Sequence, residues 1–378
     1  MYKWPSLNKL KYYGVKDTEL LWFHSYLTNR FQFVNINDIQ SSRLSVSTGV
    51  PQGSVLGPLL FIIYMNDIHQ ASTKFHAILF ADDTNLTSTL CSFDVNLANQ
   101  LDITNLSKNI NKELKEVQIW LEINKLSLNI KKTKYIIFHH PQKDITKLIP
   151  QLKLNEQPIE RVNEFNFLGV TIDEHINWNM HMQKISNKIS KSLGIMCRLK
   201  RYLPLNVLRI LYNSLILPHL QYSILAWGTK SNRVFKLQKR AVRIISCSKY
   251  NAHTDPLIKN LHLLKIKDIF KIKALKFYYK YNKNDLPVYF KTFFTKNCEI
   301  HSHDTRQNSG GHQFTTKSTS GSQCIRHLIP DIINECQTNI IEKINTHSYD
   351  GFSRYAKNCM INGYSDKCNN ENCYICQN

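Results

Sequence analysis

Two adjacent carboxylates, Asp82 and Asp83, directly follow an apolar run at residues 76–80. Side by side they repel: like charges about 4 Å apart cost roughly 4 kcal/mol at an effective dielectric near 20. A divalent cation relieves that cost, and Mg²⁺ suits one or two carboxylates plus substrate phosphates. Two such ions can activate a hydroxyl and stabilise the leaving oxygen of an in-line displacement. Aspartate is equally at home in a polar hairpin turn, so the pair alone leaves both readings open. A second cluster is Cys359, Cys368, Cys373 and Cys376, spaced C-x₈-C-x₄-C-x₂-C. Four thiolates suit a tetrahedral Zn²⁺ site, with Cys336 or His347 as substitute ligands, and a zinc knuckle there would bind nucleic acid. The spacing fits no familiar zinc finger. The ten cysteines are otherwise scattered, which fits reduced thiols better than a disulfide scaffold.

The elements that must position these groups are legible from periodicity. Residues 76–80 and 84–90 read as strands around a turn holding Ala81, Asp82 and Asp83. Residues 31–36 and 43–47 alternate as a hairpin. Gly49, Pro51, Gly53, Gly57 and Pro58 punctuate a loop, and an apolar helix follows over 59–66. Residues 16–29 and 99–123 read as helices, the latter with Ile110, Leu114, Val117 and Leu121 on one face. Strands are expected at 134–138 and 165–172. From 178 onward the pattern is helical: Met182, Ile185, Ile189, Leu193, Met196 and Leu199 form one stripe. Helices are expected at 205–217, 233–246 and 257–282, with a weaker helical pattern over 325–358. Residues 301–323, rich in Ser, Thr, Gly and His, read as a linker in which His301, His303 and His312 are solvated.

The chain has 378 residues and a formal net charge of +21. Residues 181–300 alone hold 24 Lys+Arg against 4 Asp+Glu, a net of +20. A field of that size attracts polyanions. The segment also carries Tyr202, Tyr212, Tyr222, Trp227, Phe235, Phe277, Tyr278, Tyr279 and Tyr281, and basic helices with interleaved aromatics suit nucleic-acid backbones and base stacking. Lys184, Lys188, Lys191, Arg198, Lys200 and Arg201 are the candidate contacts. No run of about 18 apolar residues suggests a membrane span, and residues 1–16 lack a secretory apolar region. An intracellular location, nuclear or cytoplasmic, is expected.

The motif order carries a resemblance. Gly49-Val50-Pro51-Gln52-Gly53-Ser54 with Leu56-Gly57-Pro58, then Phe80-Ala81-Asp82-Asp83, resembles the reverse transcriptase of non-LTR (LINE-type, jockey/CR1-like) retrotransposons. Leu128-Asn129 with Lys131-Lys132-Thr133-Lys134 resembles that family's lysine-bearing palm motif, and Phe165 to Val170 its primer-grip hairpin. Ordered motifs are far more specific than any one alone. The resemblance covers roughly residues 10–245. It implies that Asp82 ligates two catalytic Mg²⁺ ions and Asp83 supports the site. Phe80 and Ala81 would shape the hairpin under the primer end. Pro51, Gln52, Gly53 and Ser54 would line the incoming nucleotide and template. Lys132 or Lys134 would be a general acid for the pyrophosphate leaving group, and Phe167, Leu168 and Gly169 would hold the primer. Partners would be an RNA template, a DNA primer and dNTPs.

The resemblance also implies a third carboxylate in an upstream motif of the form F-x-D-x-x-x-A-F-D, which this sequence does not contain, and Asp17, Asp38 and Asp67 do not replace it by pattern. The expectation is an N-terminally truncated polymerase lacking its fingers and inactive by itself. A non-catalytic RNA or primer-template binding remnant and a zinc-binding scaffold are the alternatives. The expected fold is α+β. A polymerase-type palm, an antiparallel sheet with backing helices, would occupy residues 1–175 and an all-helical basic thumb 176–245. A basic helical extension (246–300), the linker (301–323) and a C-terminal region (324–378) would follow.

Overall fold

The computed structural model describes residues 3–47, 49–51, 53–89, 100–145, 149–294, 324–336 and 338–366. The expected linker and Cys368, Cys373 and Cys376 lie outside them. The chain divides into two compact units, Met1–Asn163 and Glu164–Asn378. Helices and short strands alternate in the first, and helices dominate the second, so the α+β class holds.

In the first unit, α1 (Lys3–Tyr12) and α2 (Asp17–Leu27) pack together. Leu7, Leu10 and Leu27 are buried with Leu60 of α3 (Leu56–Met65). The hairpin expected over 31–47 is present as two ladders. β1 (Arg30–Gln32) pairs with β4 (Leu44–Val46), and β2 (Asn35–Ile36) with β3 (Ile39–Gln40). β5 (His76–Phe80) and β6 (Asp83–Thr87) form an antiparallel pair, and α4 (Gln100–Ile123) supplies Val117 to the core beside them. Strand expectation overshot at 134–138: only β7 (Lys134–Tyr135) forms, paired with β10 (Glu160–Arg161), near a small ladder of β8 (Lys153–Leu154) and β9 (Gln157–Pro158). Among the described residues the strands form six two-stranded ladders. Such ladders are marginal alone; helices cover one face of β5–β6, whereas Phe31, Ile36, Ile39 and Leu44 of the first two ladders stay exposed.

Lys9 joins α1 to α3 and the residues after it. Its ammonium donates to the Tyr64 carbonyl, pairs with Asp67 at 2.6 Å, and lies 4.9 Å from the ring centroids of both Tyr64 and Trp120. Asp67 is thereby committed to an ion pair, Asp38 sits in the β2–β3 turn at positive φ, and Asp17 opens α2.

The second unit begins with a hairpin, as the resemblance implied at Phe165 to Val170, where periodicity alone read one strand over 165–172: β11 (Glu164–Phe167) and β12 (Val170–Asp173) turn at Leu168-Gly169. α5 (Asn179–Leu199) follows and buries the expected stripe of Met182, Ile185, Ile189, Leu193 and Met196. α6 (Leu205–Leu215), α7 (Leu217–Gln221), α8 (Ile224–Trp227) and α9 (Asn232–Ile245) continue the bundle. The helix expected over 257–282 is two: α10 (Thr254–Asn260) and α11 (Ile266–Asn282). α12 (Ile325–Glu335), α13 (Thr338–Thr346) and α14 (Tyr349–Asn362) complete it. One core runs from Val170 to Tyr364, through the segments read from sequence as thumb, extension and C-terminal region. At Gly228 the backbone passes so close to α11 that a Cβ would lie 2.5 Å from the Phe270 ring.

Gln238 ties three parts of that core. Its amide donates to the Tyr212 hydroxyl (2.9 Å) and the Leu264 carbonyl (2.8 Å), and its carbonyl accepts the Ile266 N–H (2.9 Å). Burial and the low-dielectric surroundings push the Tyr212 hydroxyl up to about 12. Gln238→Leu strands three buried partners and is expected to cost about 3 kcal/mol or more. A denaturant midpoint for the full chain within error of wild type would refute that role.

Candidate functional site

The carboxylate pair is placed by strand alternation. Along β5 and β6 successive side chains face opposite sides. Ala77, Leu79 and Leu86 pack against the core of Tyr64, Met65, Ile68 and Val117. Their neighbours Ile78 and Phe80 are therefore forced outward, and both are exposed. Phe80 pairs with Asp83, so Asp83 stands on the open face; Ala81 and Asp82 form the two-residue loop, with Asp82 exposed. The turn is one residue tighter than expected from sequence. Ala81 takes φ 52°, a conformation that costs an L-residue about 1–2 kcal/mol. Strain of that kind collects at functional sites.

The loop before α3 is held internally. The Ser54 hydroxyl donates to the Pro51 carbonyl at 2.7 Å and accepts the Gly57 N–H at 3.1 Å, and Arg30 donates to the Gly49 carbonyl at 2.5 Å. Gly53 sits at φ 79°, where a side chain would be strained. Gln52 lies outside the described residues. The lysine segment is a turn built on Asn129, whose carbonyl accepts from the Thr133 hydroxyl and whose side chain accepts the Lys132 N–H. Lys134 pairs with Glu160 across β7–β10, whereas Lys132 is exposed. Ile130 and Tyr135 share a cluster with Leu86 of β6, so the lysine turn, the loop-bearing α3 and the aspartate hairpin rest on adjoining cores within one unit.

In the second unit, Lys184, Lys188, Lys191, Arg198 and Arg201 are exposed and Lys200 is half-exposed, on and just beyond the face of α5 opposite its buried stripe. Lys184 reaches Glu164 at 3.3 Å, an exposed pair of small energetic weight. The aromatic expectation needs correction. Tyr212, Trp227, Tyr278 and Tyr279 are buried in the core, and Phe235, Phe277 and Tyr281 are half-buried against it. Only Tyr202 and Tyr222 of that set are exposed enough to meet a base. The physical reason is that one helical face must be apolar to build the bundle, and aromatics supply the most buried area.

Residues 5–172 match the reverse transcriptase (RNA-dependent DNA polymerase) family. That stretch resembles a reverse transcriptase domain. The RNA-directed DNA polymerase from mobile element jockey of Drosophila melanogaster is 25% identical over 272 residues, which are 68% of this chain and 28% of that protein. The probable RNA-directed DNA polymerase from transposon BS of the same fly is 26% identical over 67% of this chain and 27% of its own length. That from transposon X-element is 24% identical over 65% and 26%. The chain thus spans about a quarter of the length of the curated relatives it matches. Within the matched residues, Asp82, Asp83, Lys132, Pro51, Gly53 and Ser54 all fall inside one compact unit, whereas Phe167, Leu168 and Gly169 fall in the other.

Sequence reasoning missed the residues that fix the Phe167–Gly169 hairpin. Asp173, buried, accepts backbone N–H groups of His175, Asn177 and Trp178 at 3.1–3.2 Å and so joins β12 to the start of α5. His181, also buried, accepts the Thr171 N–H on Nδ1 at 3.2 Å. The usable signal was Asp173 five residues before Trp178 and eight before His181 at a strand–helix junction. Of the four tail cysteines only Cys359 lies among the described residues. Cys359 is half-buried in α14 and joins no group of three candidate ligands among the described residues, and burial pushes the Cys336 thiol up, away from the thiolate zinc requires. Zinc at these cysteines finds no support.

Burial, with Lys184 and Lys188 nearby, lowers the His181 pKa from 6.5. Burial beside Lys188 likewise lowers that of His219. Below about 6.5 the unfolded chain takes up protons that the folded chain refuses, so folding stability is present above that pH and is lost as pH falls through it. Denaturant unfolding between pH 7 and pH 5 is expected to show this loss, with a shallower slope in His181→Gln. An unchanged slope in the variant would show that His181 is not a source of it.

Proposed function

We propose that this chain supplies the catalytic hairpin, nucleotide loop and basic thumb of an RNA-directed DNA polymerase of a non-LTR retrotransposon, copying RNA into DNA from a primer 3′-OH. The carrying observation is the Asp82–Asp83 pair at an exposed, strained hairpin whose other face is locked into the core. The donor set fits Mg²⁺ held together with nucleotide phosphates: two carboxylates are open to solvent, and the ion takes its remaining oxygens from substrate and water. Mg²⁺ bound there would acidify the primer hydroxyl and stabilise the leaving pyrophosphate oxygen. Asp82 and Asp83 hold negative charge where those phosphates dock. Lys132, free of the ion pair that occupies Lys134, is the better placed of the two to protonate pyrophosphate as the P–O bond breaks. Pro51, Gly53 and Ser54 form the rigid loop against which template and nucleotide would lie, and the second unit's helices form the thumb that grips the duplex. Work on an RNA template and a DNA primer places the protein inside the cell. Among the described residues no helix is long and apolar enough to cross a membrane.

A two-ion site needs a further carboxylate, and among the described residues none joins Asp82 and Asp83 to make a group of three. The chain alone is therefore expected to bind an annealed DNA primer on an RNA template without Mg²⁺-dependent nucleotide incorporation. Incorporation that disappears in Asp82→Asn would overturn the second half of that expectation and place the missing ligand within this chain. Failure to bind would overturn the first.

The grip itself has a separate signature. Each phosphate contact contributes about −0.9 to the slope of log K against log salt. The double change Lys188→Gln with Arg198→Gln should make the slope shallower by about 1.8 if both side chains touch the backbone. An unaltered slope would remove α5 from the interface.

A further inference from the structure

The β11–β12 hairpin carries a conformational load at its tip. Both loop residues sit at positive φ, Leu168 at 46° and Gly169 at 81°. Paired positive φ values are what a type I′ two-residue hairpin turn requires. Glycine meets that requirement freely, whereas a leucine does so only where its surroundings hold it.

The holding contacts come from far along the chain. The Tyr222 hydroxyl donates to the Leu168 carbonyl, and the Tyr222 ring lies 3.6 Å from where a Cβ on Gly169 would stand. Tyr222 sits between α7 and α8, and there the indole N–H of Trp227 donates to its carbonyl at 2.9 Å. Trp227 is fully buried, and its ring packs edge-on against His181 with centroids 5.9 Å apart. His181 returns to the hairpin by accepting the Thr171 N–H. That bond puts the ring proton on Nε2. The contacts therefore close a circuit: tip, Tyr222, Trp227, His181 and β12. A tyrosine that only filled core would be covered, but Tyr222 remains 53% exposed beside an exposed Gly169.

We propose that Tyr222 is a positioning residue, seated on Trp227 and His181, that fixes the Leu168–Gly169 tip for the DNA primer strand laid across it. The proposal rests on the reading of this hairpin as the primer-holding element. Tyr222 acts on the primer through the tip's backbone and is not a catalytic residue. The hydroxyl carries the effect, because it alone reaches the Leu168 carbonyl.

Tyr222→Phe in the full chain removes that hydroxyl and keeps the ring. Four quantities are measured: amide exchange at Val170, which pairs with Phe167 across the loop; affinity for a DNA primer annealed to an RNA template; the salt slope of that affinity; and the thermal midpoint. The expected result is exchange at Val170 faster by about tenfold and affinity weaker by about fivefold, the scale of one hydrogen bond. The salt slope and midpoint should be unchanged, since the basic helix and the core are untouched. Tyr222→Ala should weaken binding further. Unchanged exchange at Val170 overturns the clamp. Faster exchange with undiminished affinity overturns its role in holding the primer. Wild-type chain that binds the primer-template no better than the single-stranded template overturns the primer reading itself, whatever the exchange result.

Discussion

The candidate site depends on one constraint, the two-residue alternation of a strand with only one face to bury. Leu79 and Leu86 must enter the core shared with α3 and α4, so Phe80 and Asp83 have no choice but the open side. A one-residue slip of register would bury the carboxylate and expose the leucine, a change opposed by the whole apolar cluster. The geometry of the acidic pair is thus set by residues that never touch a substrate, and the strained Ala81 is tolerated because both flanking strands are pinned. The adjoining clusters extend the same support to the lysine turn and the helix behind the glycine-rich loop.

Positive charge in the second unit serves two ends. Along α11 and nearby it is largely absorbed internally. Lys265 pairs with Asp255, Lys259 with Asp366 and Lys271 with Glu335, while Lys276 and Lys280 lie over the Tyr349 ring. These contacts fasten α12 and α14 onto α11, and the buried Tyr364 hydroxyl joins Asp268 in the same way. Along α5 the cations other than Lys184 have no ion pair among those described, and Arg233, Lys236 and Arg240 of α9 are exposed as well. A count of lysines over 181–300 therefore overstates the surface offered to a polyanion.

Local periodicity made much of this legible. The stripe on α5, the long α4 and the β5–β6 hairpin all follow from repeats visible within a few residues of one another, and the acidic pair followed from its place after an apolar strand. What was not legible depends on distance or on breaks in pattern. The Tyr222–Leu168 contact spans 54 residues, and no local rule distinguishes that tyrosine from the buried Tyr212 ten residues earlier. The split between α10 and α11 was hidden because Leu261, Leu263 and Leu264 continue the apolar pattern through the turn. By periodicity alone the hairpin at 164–173 reads as one strand, since Leu168 is a poor candidate for a left-handed turn; only the resemblance implied the hairpin, and its tertiary support cannot be seen in sequence.

The row of Lys184, Lys188 and Lys191 on α5 has a consequence for folding itself. Spaced at three and four residues on one helix face, like charges repel, and the bundle beneath must carry that repulsion whenever the row is bare. A nucleic-acid strand lying on α5 would cancel the repulsion while making its own contacts. By mass action, any ligand that prefers the folded chain raises its apparent stability. Template and protein would then be partners in one folding equilibrium: a strand read on α5 would also help hold together the helices that read it.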